Sequence, residues 1–433
     1  MDKKVILQRL GIFLAYPLAY AYVVIISEGF GGNYWFSLWY SLLALGFISV
    51  NEIVRRGRRG ALILPPKSTI FWYAMTLLCG LTATFGPDET LSIFAMHLCA
   101  VYSVLVSNDI LLGGKTSGFI PADLIHGFYV KSFAGFPNFI VDWKCFGRNK
   151  QVSDGLNESK HGKNVFGAVF FVIIMSILLI ISVSLMSSID EDLAWFLNDF
   201  FNNIFDCFEN LDVATLIVRA FFAVPVCFYV YGLISRSAKS DGQREKRVAS
   251  WLNRVRGKGK TTSSVIVYIA AGIFVVFYLL FFIKRLTYML GGFVGNVPEG
   301  TLVSQYAREG FFELVGIMAV NMFVYLAIIL FGKTDSDGKF ALPAKILVTM
   351  LMAESIIFAA VALSKLGLYY SIYGYTPKRI LAMWGALALG FASTMTILTV
   401  NRGKPHIRAG IVFTAASYVA ICVLSGVLAA IGA

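Results

Sequence analysis

The sequence predicts an all-α protein, a polytopic transmembrane bundle of about eleven spans with short interfacial helices, each span long enough to cross a hydrocarbon core of roughly 30 Å. Three observations predict it. Hydrophobic residues make up 58% of the chain and charged residues 14%, against about 25% charged in soluble domains. Mean hydropathy is +0.73. Apolar stretches of helical spanning length recur from one end of the chain to the other, separated by short polar connections.

In chain order the predicted spans are 9–27, 34–54, 68–86, 89–113, 164–188, 211–235, 264–284, 308–332, 344–368, 379–400 and 409–431. The first follows Met1-Asp2-Lys3-Lys4, contains Pro17 and lacks a small-residue cleavage site, so it reads as a retained helix and not a signal peptide. An odd number of spans puts the termini on opposite sides. A cytoplasmic N-terminus gathers nearly all Lys and Arg into the inside connections, while the outside connection from Asp190 to Asp212 holds acids and no Lys or Arg. That is the positive-inside pattern. It predicts a C-terminus outside the cytoplasmic membrane. The same pattern accounts for the net charge of +12 without nucleic acid, since no single basic face is formed.

The chain reads as one integral membrane domain, 1–433, made of four N-terminal spans (1–113), a cytoplasmic connection (114–163) and seven further spans (164–433). Within the connection, Phe128, Tyr129, Phe133, Phe136 and Phe139 stand among few charges, as in an interfacial helix, and the stretch 148–163 is polar. Outside, Trp195, Phe196, Phe200, Phe201 and Phe205 recur at helical spacing beside Asp and Asn, as in a helix lying on the outer leaflet. The segment 236–260 is strongly basic, and Arg244, Lys246, Arg247 and Trp251 are expected to contact anionic lipids at the cytoplasmic face or a protein partner.

Soluble-enzyme chemistry finds little support. Gly257-Lys258-Gly259-Lys260-Thr261 ends like a P-loop, but Arg254 occupies the position of the first glycine and no strand precedes it. The six cysteines show no Cys-x-x-Cys spacing and His97, His126, His161 and His406 are scattered, so no disulfide framework, metal site or cofactor is expected. No catalytic residue is assigned. An intramembrane enzyme acting on a lipid-linked substrate would have only Asp109, Asp123 and His126 to draw on.

Ionisable groups inside the apolar spans are a stronger lead, because each costs a few kcal/mol in a bilayer unless paired or hydrated. Glu354 is the deepest, flanked by Met350-Leu351-Met352-Ala353 and Ser355-Ile356-Ile357-Phe358. Arg219 lies near Pro225, and His97 near the middle of its span. Tyr306, Glu309, Glu313 and Ile317 share one helix face, stacking two like charges that need a counter-ion. Arg379 is expected to supply it, following the turn Tyr373-Gly374-Tyr375-Thr376-Pro377 in which Thr376 would cap a helix and Pro377 start it. Arg219, Glu309, Glu313, Glu354 and Arg379 thus form the expected polar pathway or ion-pair cluster, with His97, Asp109 and Arg308 of second rank.

Two of these segments carry a likeness. Tyr306-Ala307-Arg308-Glu309-Gly310-Phe311-Phe312-Glu313-Leu314 and Tyr373-Gly374-Tyr375-Thr376-Pro377-Lys378-Arg379 resemble bacterial multi-pass inner-membrane proteins of the domain-of-unknown-function 4153/4173 group, over roughly residues 290 to 400. The second motif departs from the group's pattern at Tyr375 and Pro377. The resemblance implies a bacterial inner-membrane protein and supplies no activity. The expected function is a transporter-like bundle for an ion or small solute; the alternative is a membrane scaffold or sensor subunit that binds lipid or a protein through its basic loops.

Overall fold

The computed structural model describes residues 3–28, 35–60, 65–146, 212–259, 264–295, 302–331, 340–403 and 405–431. The expected span 164–188 and the aromatic stretch 193–208 lie outside the described residues. Within them the secondary structure is helical: α1 (Lys3–Glu28), α2 (Trp35–Arg59), α3 (Lys67–Leu81), α4 (Glu89–Ser107), α5 (Ile120–Ile125), a π turn (His126–Lys131), α6 (Ser132–Phe146), α7 (Asp212–Lys239), α8 (Gln243–Gly259), α9 (Ser264–Val294), α10 (Val303–Phe331), α11 (Leu342–Tyr373), α12 (Pro377–Arg402) and α13 (Ile407–Ala430). Nine helices among the described residues are long and apolar enough to cross a membrane. Helix is the required form there, because in hydrocarbon every backbone N–H and C=O has to be satisfied within the segment. Hydroxyls follow the same logic: Thr394, Thr396, Thr399 and Thr414 each donate to the carbonyl four residues back.

Element ends show where local chemistry overrides hydropathy. The expected span 68–86 is a helix of 15 residues, stopped before a turn at Thr82–Phe85. After that turn Asp88 caps α4, its Oδ1 accepting from the Leu91 N–H at 2.8 Å. The expected span 89–113 ends at Ser107, followed by Asp109 at φ 53, an αL conformation that Asp tolerates.

The chain divides into two compact units. The first comprises Met1–Gly80, Ala95–Leu111 and Pro121–Gly242. Its core joins Ile12, Ala15 and Ala19 of α1, Val50 and Val54 of α2, Val101 and Val104 of α4, and Tyr231, Leu233 and Ile234 of α7. The aromatic segment expected at the interface packs here as α6 against α7. Its Phe139 lies 5.1 Å from Phe228 and 5.5 Å from Tyr231 between ring centroids. Gly135 and Gly232 make the approach possible, since a Cβ on either would run into the other helix's backbone. Small residues at a helix crossing are the usual means of close packing in membranes.

The second unit comprises Leu81–Phe94, Leu112–Ile120 and Gln243–Ala433. Its core is centred on α11, against which α9, α10 and α12 pack, with Val348, Leu351, Met352, Phe358 and Ala362 buried. α13 packs on α12. It also closes on the first turn of α4, where Tyr418 and Ser92 hydroxyls meet at 2.9 Å.

Candidate functional site

The face of α11 that packs into the second unit carries Glu354, Phe358, Val361 and Lys365 at spacings of four, three and four, so they stack along one side of the helix. All four are buried, Glu354 to 5% exposure. Its carboxylate is the notable group. Among the described residues neither Oε1 nor Oε2 has a hydrogen-bond partner, although Ser355 beside it accepts from Asn321 Nδ2 at 2.8 Å. Polar groups at this depth are normally bonded.

Aromatic rings lie next along the face. Phe358 stacks on Phe282 of α9, with centroids 4.9 Å apart and planes at 13°, and meets Tyr278 edge-on at 5.9 Å. Tyr278 is near enough to Glu354 to feel its charge. The same tyrosine lines a cavity of about 590 Å³ with Glu313, Gly316, Ile317 and Val320 of α10 and Phe281 of α9. The arrangement is therefore a cavity with an acid and a tyrosine in its wall, and a second acid, Glu354, buried one turn of α11 from the Phe358–Phe282 stack.

About 16 Å further along α11, at 1.5 Å per residue, Lys365 enters a notch cut by glycines. Its ammonium sits over the Tyr306 ring, 4.1 Å from the centroid. A Cβ on Gly310 would collide with that ammonium, and one on Gly292 would stand 2.7 Å from Ser364 Oγ and 3.0 Å from Lys365 N. Tyr306 and Gly310 of the first motif are thus the floor of the lysine's pocket. Glu313 is close enough to act on Lys365 electrostatically.

Of the five expected pathway residues, Glu313 lines the cavity and Glu354 is buried on α11 within electrostatic range of Tyr278 in the cavity wall. The side chain of Glu309 lies outside the described side chains. Arg219 belongs to the first unit, where it pairs with Glu28 at 2.7 Å. Arg379 makes no ion pair with Glu313 among the described residues. Its guanidinium donates to the carbonyls of Tyr373 and Gly374 and lies 4.0 Å over the Tyr369 ring. Gly374, at φ 72, ends α11 and exposes its last carbonyls, and a cation is the natural partner for a helix C-terminus. Pro377 does begin α12, while Thr376 makes no side-chain cap bond.

Of the second rank, His97 Nε2 lies 3.1 Å from the Tyr22 hydroxyl, and Arg308 is exposed. Asp109 occupies the αL turn described above. On α8, Arg244, Lys246, Arg247 and Trp251 are exposed while Glu245 and Ala249 are buried, so the helix turns its cations and its tryptophan outward.

Two polar clusters in the first unit have partners that sequence reasoning does not pair, although Glu52 stands out in the sequence as an acid near the cytoplasmic end of its span. Asp142 of α6 is fully buried and accepts from Arg58 at 2.6 Å, Tyr231 at 2.8 Å and Lys239 at 3.3 Å. Glu52 accepts from Arg55 at 2.8 Å and from Tyr73 at 2.7 Å, and Asn51 bridges Tyr73 and Ser107. A lone acid within a run of Phe, Val and Trp was the signal for Asp142. In both clusters each acid is paired with a cation, as in structural locks. Among the described residues no group of His, Cys, Asp and Glu is arranged to hold a metal.

Comparison with known proteins returns one family model, described as a domain of unknown function (DUF4153), matching residues 72–430. The match is wider than the stretch that carries the two motifs. No curated protein and no solved structure matches the chain.

Proposed function

The chain belongs to the DUF4153 family, whose description assigns no activity, and we propose from its own side chains that the second unit of this multi-pass membrane protein conducts a proton or small cation. The route runs from the Glu313 cavity past Tyr278 to Glu354, with Phe358 and Phe282 as the constriction. The observation that carries this reading is the buried carboxyl of Glu354, unbonded among the described residues. An isolated charge there costs several kcal/mol, so the group takes up a proton or a cation, and exchange of that ion with the cavity is transport. This narrows the pathway expected from sequence to Glu313 and Glu354, and gives Arg219 and Arg379 structural roles. We place the protein in a bacterial cytoplasmic membrane with its N-terminus inside, on the distribution of Lys and Arg.

Proteoliposomes containing the purified chain and a trapped pH- or cation-sensitive dye test the proposal. Wild type is expected to dissipate an imposed gradient and Glu354→Gln to lose at least tenfold of the rate, with Glu354→Asp intermediate. Equal rates in wild type, Glu354→Gln and empty liposomes would overturn it.

A second reading, attachment to anionic lipid through α8, is favoured by the outward cations and by Trp251, 59% exposed. Each basic residue near an anionic surface contributes about 1 kcal/mol. Trp251 fluorescence in reconstituted protein should be quenched by brominated anionic lipid more than by brominated neutral lipid. Neutralising Arg244, Lys246 and Arg247 should remove that preference; no preference in wild type would contradict the reading.

A further inference from the structure

The first unit contains a cavity of about 600 Å³, within the 300–1,000 Å³ typical of small-ligand pockets. Its wall is hydrocarbon and aromatic, with Phe47, Met96, Phe133, Phe136, Val226 and Leu233 among the lining residues. Among the described residues no Asp, Glu, Lys or Arg lines it. The cavity is open on one side, and an apolar cleft of this kind takes up hydrocarbon in preference to water.

Two backbone irregularities contribute to the wall. The π turn His126–Lys131 contributes Phe128, and Pro225, which interrupts the hydrogen-bond ladder of α7, lines the cavity itself. π turns recur at functional sites. The Tyr229 hydroxyl, from the same wall, bonds the Phe128 carbonyl at 2.9 Å and ties the two irregular segments together. α1, α2, α4 and α7, which supply most of the wall, are all of membrane-crossing length, so hydrocarbon chains are the solvent around them.

Of the polar side chains in the wall, Thr76 and Tyr229 donate to backbone carbonyls, and Tyr22 pairs with His97 at 3.1 Å. A phenol that bonds one partner keeps a further donor or acceptor position. We propose that this cavity is a binding site for one hydrocarbon chain ending in an uncharged hydroxyl or carbonyl, the tip meeting the Tyr22 hydroxyl that His97 orients. The uncharged wall excludes a phosphate or ammonium headgroup inside it. Two sources share this chemistry, a fatty acyl or alkyl chain and an isoprenoid chain.

The test uses the full chain, delipidated in mild detergent, and three fluorescence-competition probes: hexadecanol, the isoprenoid alcohol farnesol, and hexadecane as the tipless control, each competing with pyrene-labelled hexadecanol. Saturable one-to-one binding of the labelled alcohol is expected, and the better competitor of the two alcohols identifies the source. Ala100→Phe, which fills the cavity, should weaken binding at least tenfold with the melting temperature held within a few degrees. If that variant does not fold, Ala44→Leu replaces it. His97→Phe and Tyr22→Phe should weaken the alcohols severalfold and leave hexadecane unchanged. Uptake that rises without saturation, or binding undiminished in a folded cavity-filled variant, would overturn the proposal.

Discussion

The ammonium of Lys365 on α11 rests 4.1 Å from the centre of the Tyr306 ring on α10, with both residues buried. This contact explains the spacing of Tyr306 and Gly310. The tyrosine supplies a ring face for the cation and the glycine leaves room for it. A cation over an aromatic face, removed from water, is stabilised by about 2 kcal/mol or more.

Tyr306→Leu is therefore expected to destabilise the second unit by about 2 kcal/mol, and Tyr306→Phe, which keeps the ring, by clearly less. Thermal unfolding of the purified protein in one detergent measures both. Equal losses would place the effect in the hydroxyl and not in the ring.

Phe358 and Phe282 stack directly beside Glu354's face of α11. Replacing the less buried partner, Phe282→Ala, should open the constriction and raise the liposome flux severalfold, at a stability cost of about 3 kcal/mol. Unchanged or reduced flux in a folded Phe282→Ala variant would remove the aromatic pair from the route.

The crossing of α6 and α7 makes a purely structural prediction. Gly232→Ala drives a Cβ into the Ser132 carbonyl and should lower the yield of folded protein sharply, at an expected cost of about 3 kcal/mol. Gly367→Ala, on α11 with nothing within 4 Å of the added carbon, should be neutral or slightly stabilising. Similar behaviour of the two variants in a detergent melting series would contradict the close crossing.

Much of the helical frame is readable from apolar runs, because spanning length is set by the bilayer and each run can only be helical there. Glu313 and Glu354 are readable for the same reason: acids stand out against hydrocarbon. Lys365 is not. It sits near the end of its expected span, where a lysine ordinarily reaches for the interface, and its burial depends on Gly292 and Gly310 in other helices. Charge complementarity points Arg379 to Glu309 or Glu313, whereas the nearest unmet acceptors are the carbonyls freed where Gly374 ends α11. Asp142 lies in a segment that reads as interfacial, and its three donors come from positions 58, 231 and 239, a convergence that only the fold creates.

The most direct test is the accessibility of position 354 to water. In a functional chain with its native cysteines replaced, Glu354→Cys should react with a small, water-soluble, membrane-impermeant thiosulfonate applied to sealed proteoliposomes, and Phe282→Ala in addition should speed that reaction severalfold. A thiol at position 354 that stays inert to the reagent from both faces of the membrane, in folded protein, would contradict a conducting route through Glu354 and leave the acid as part of a sealed core.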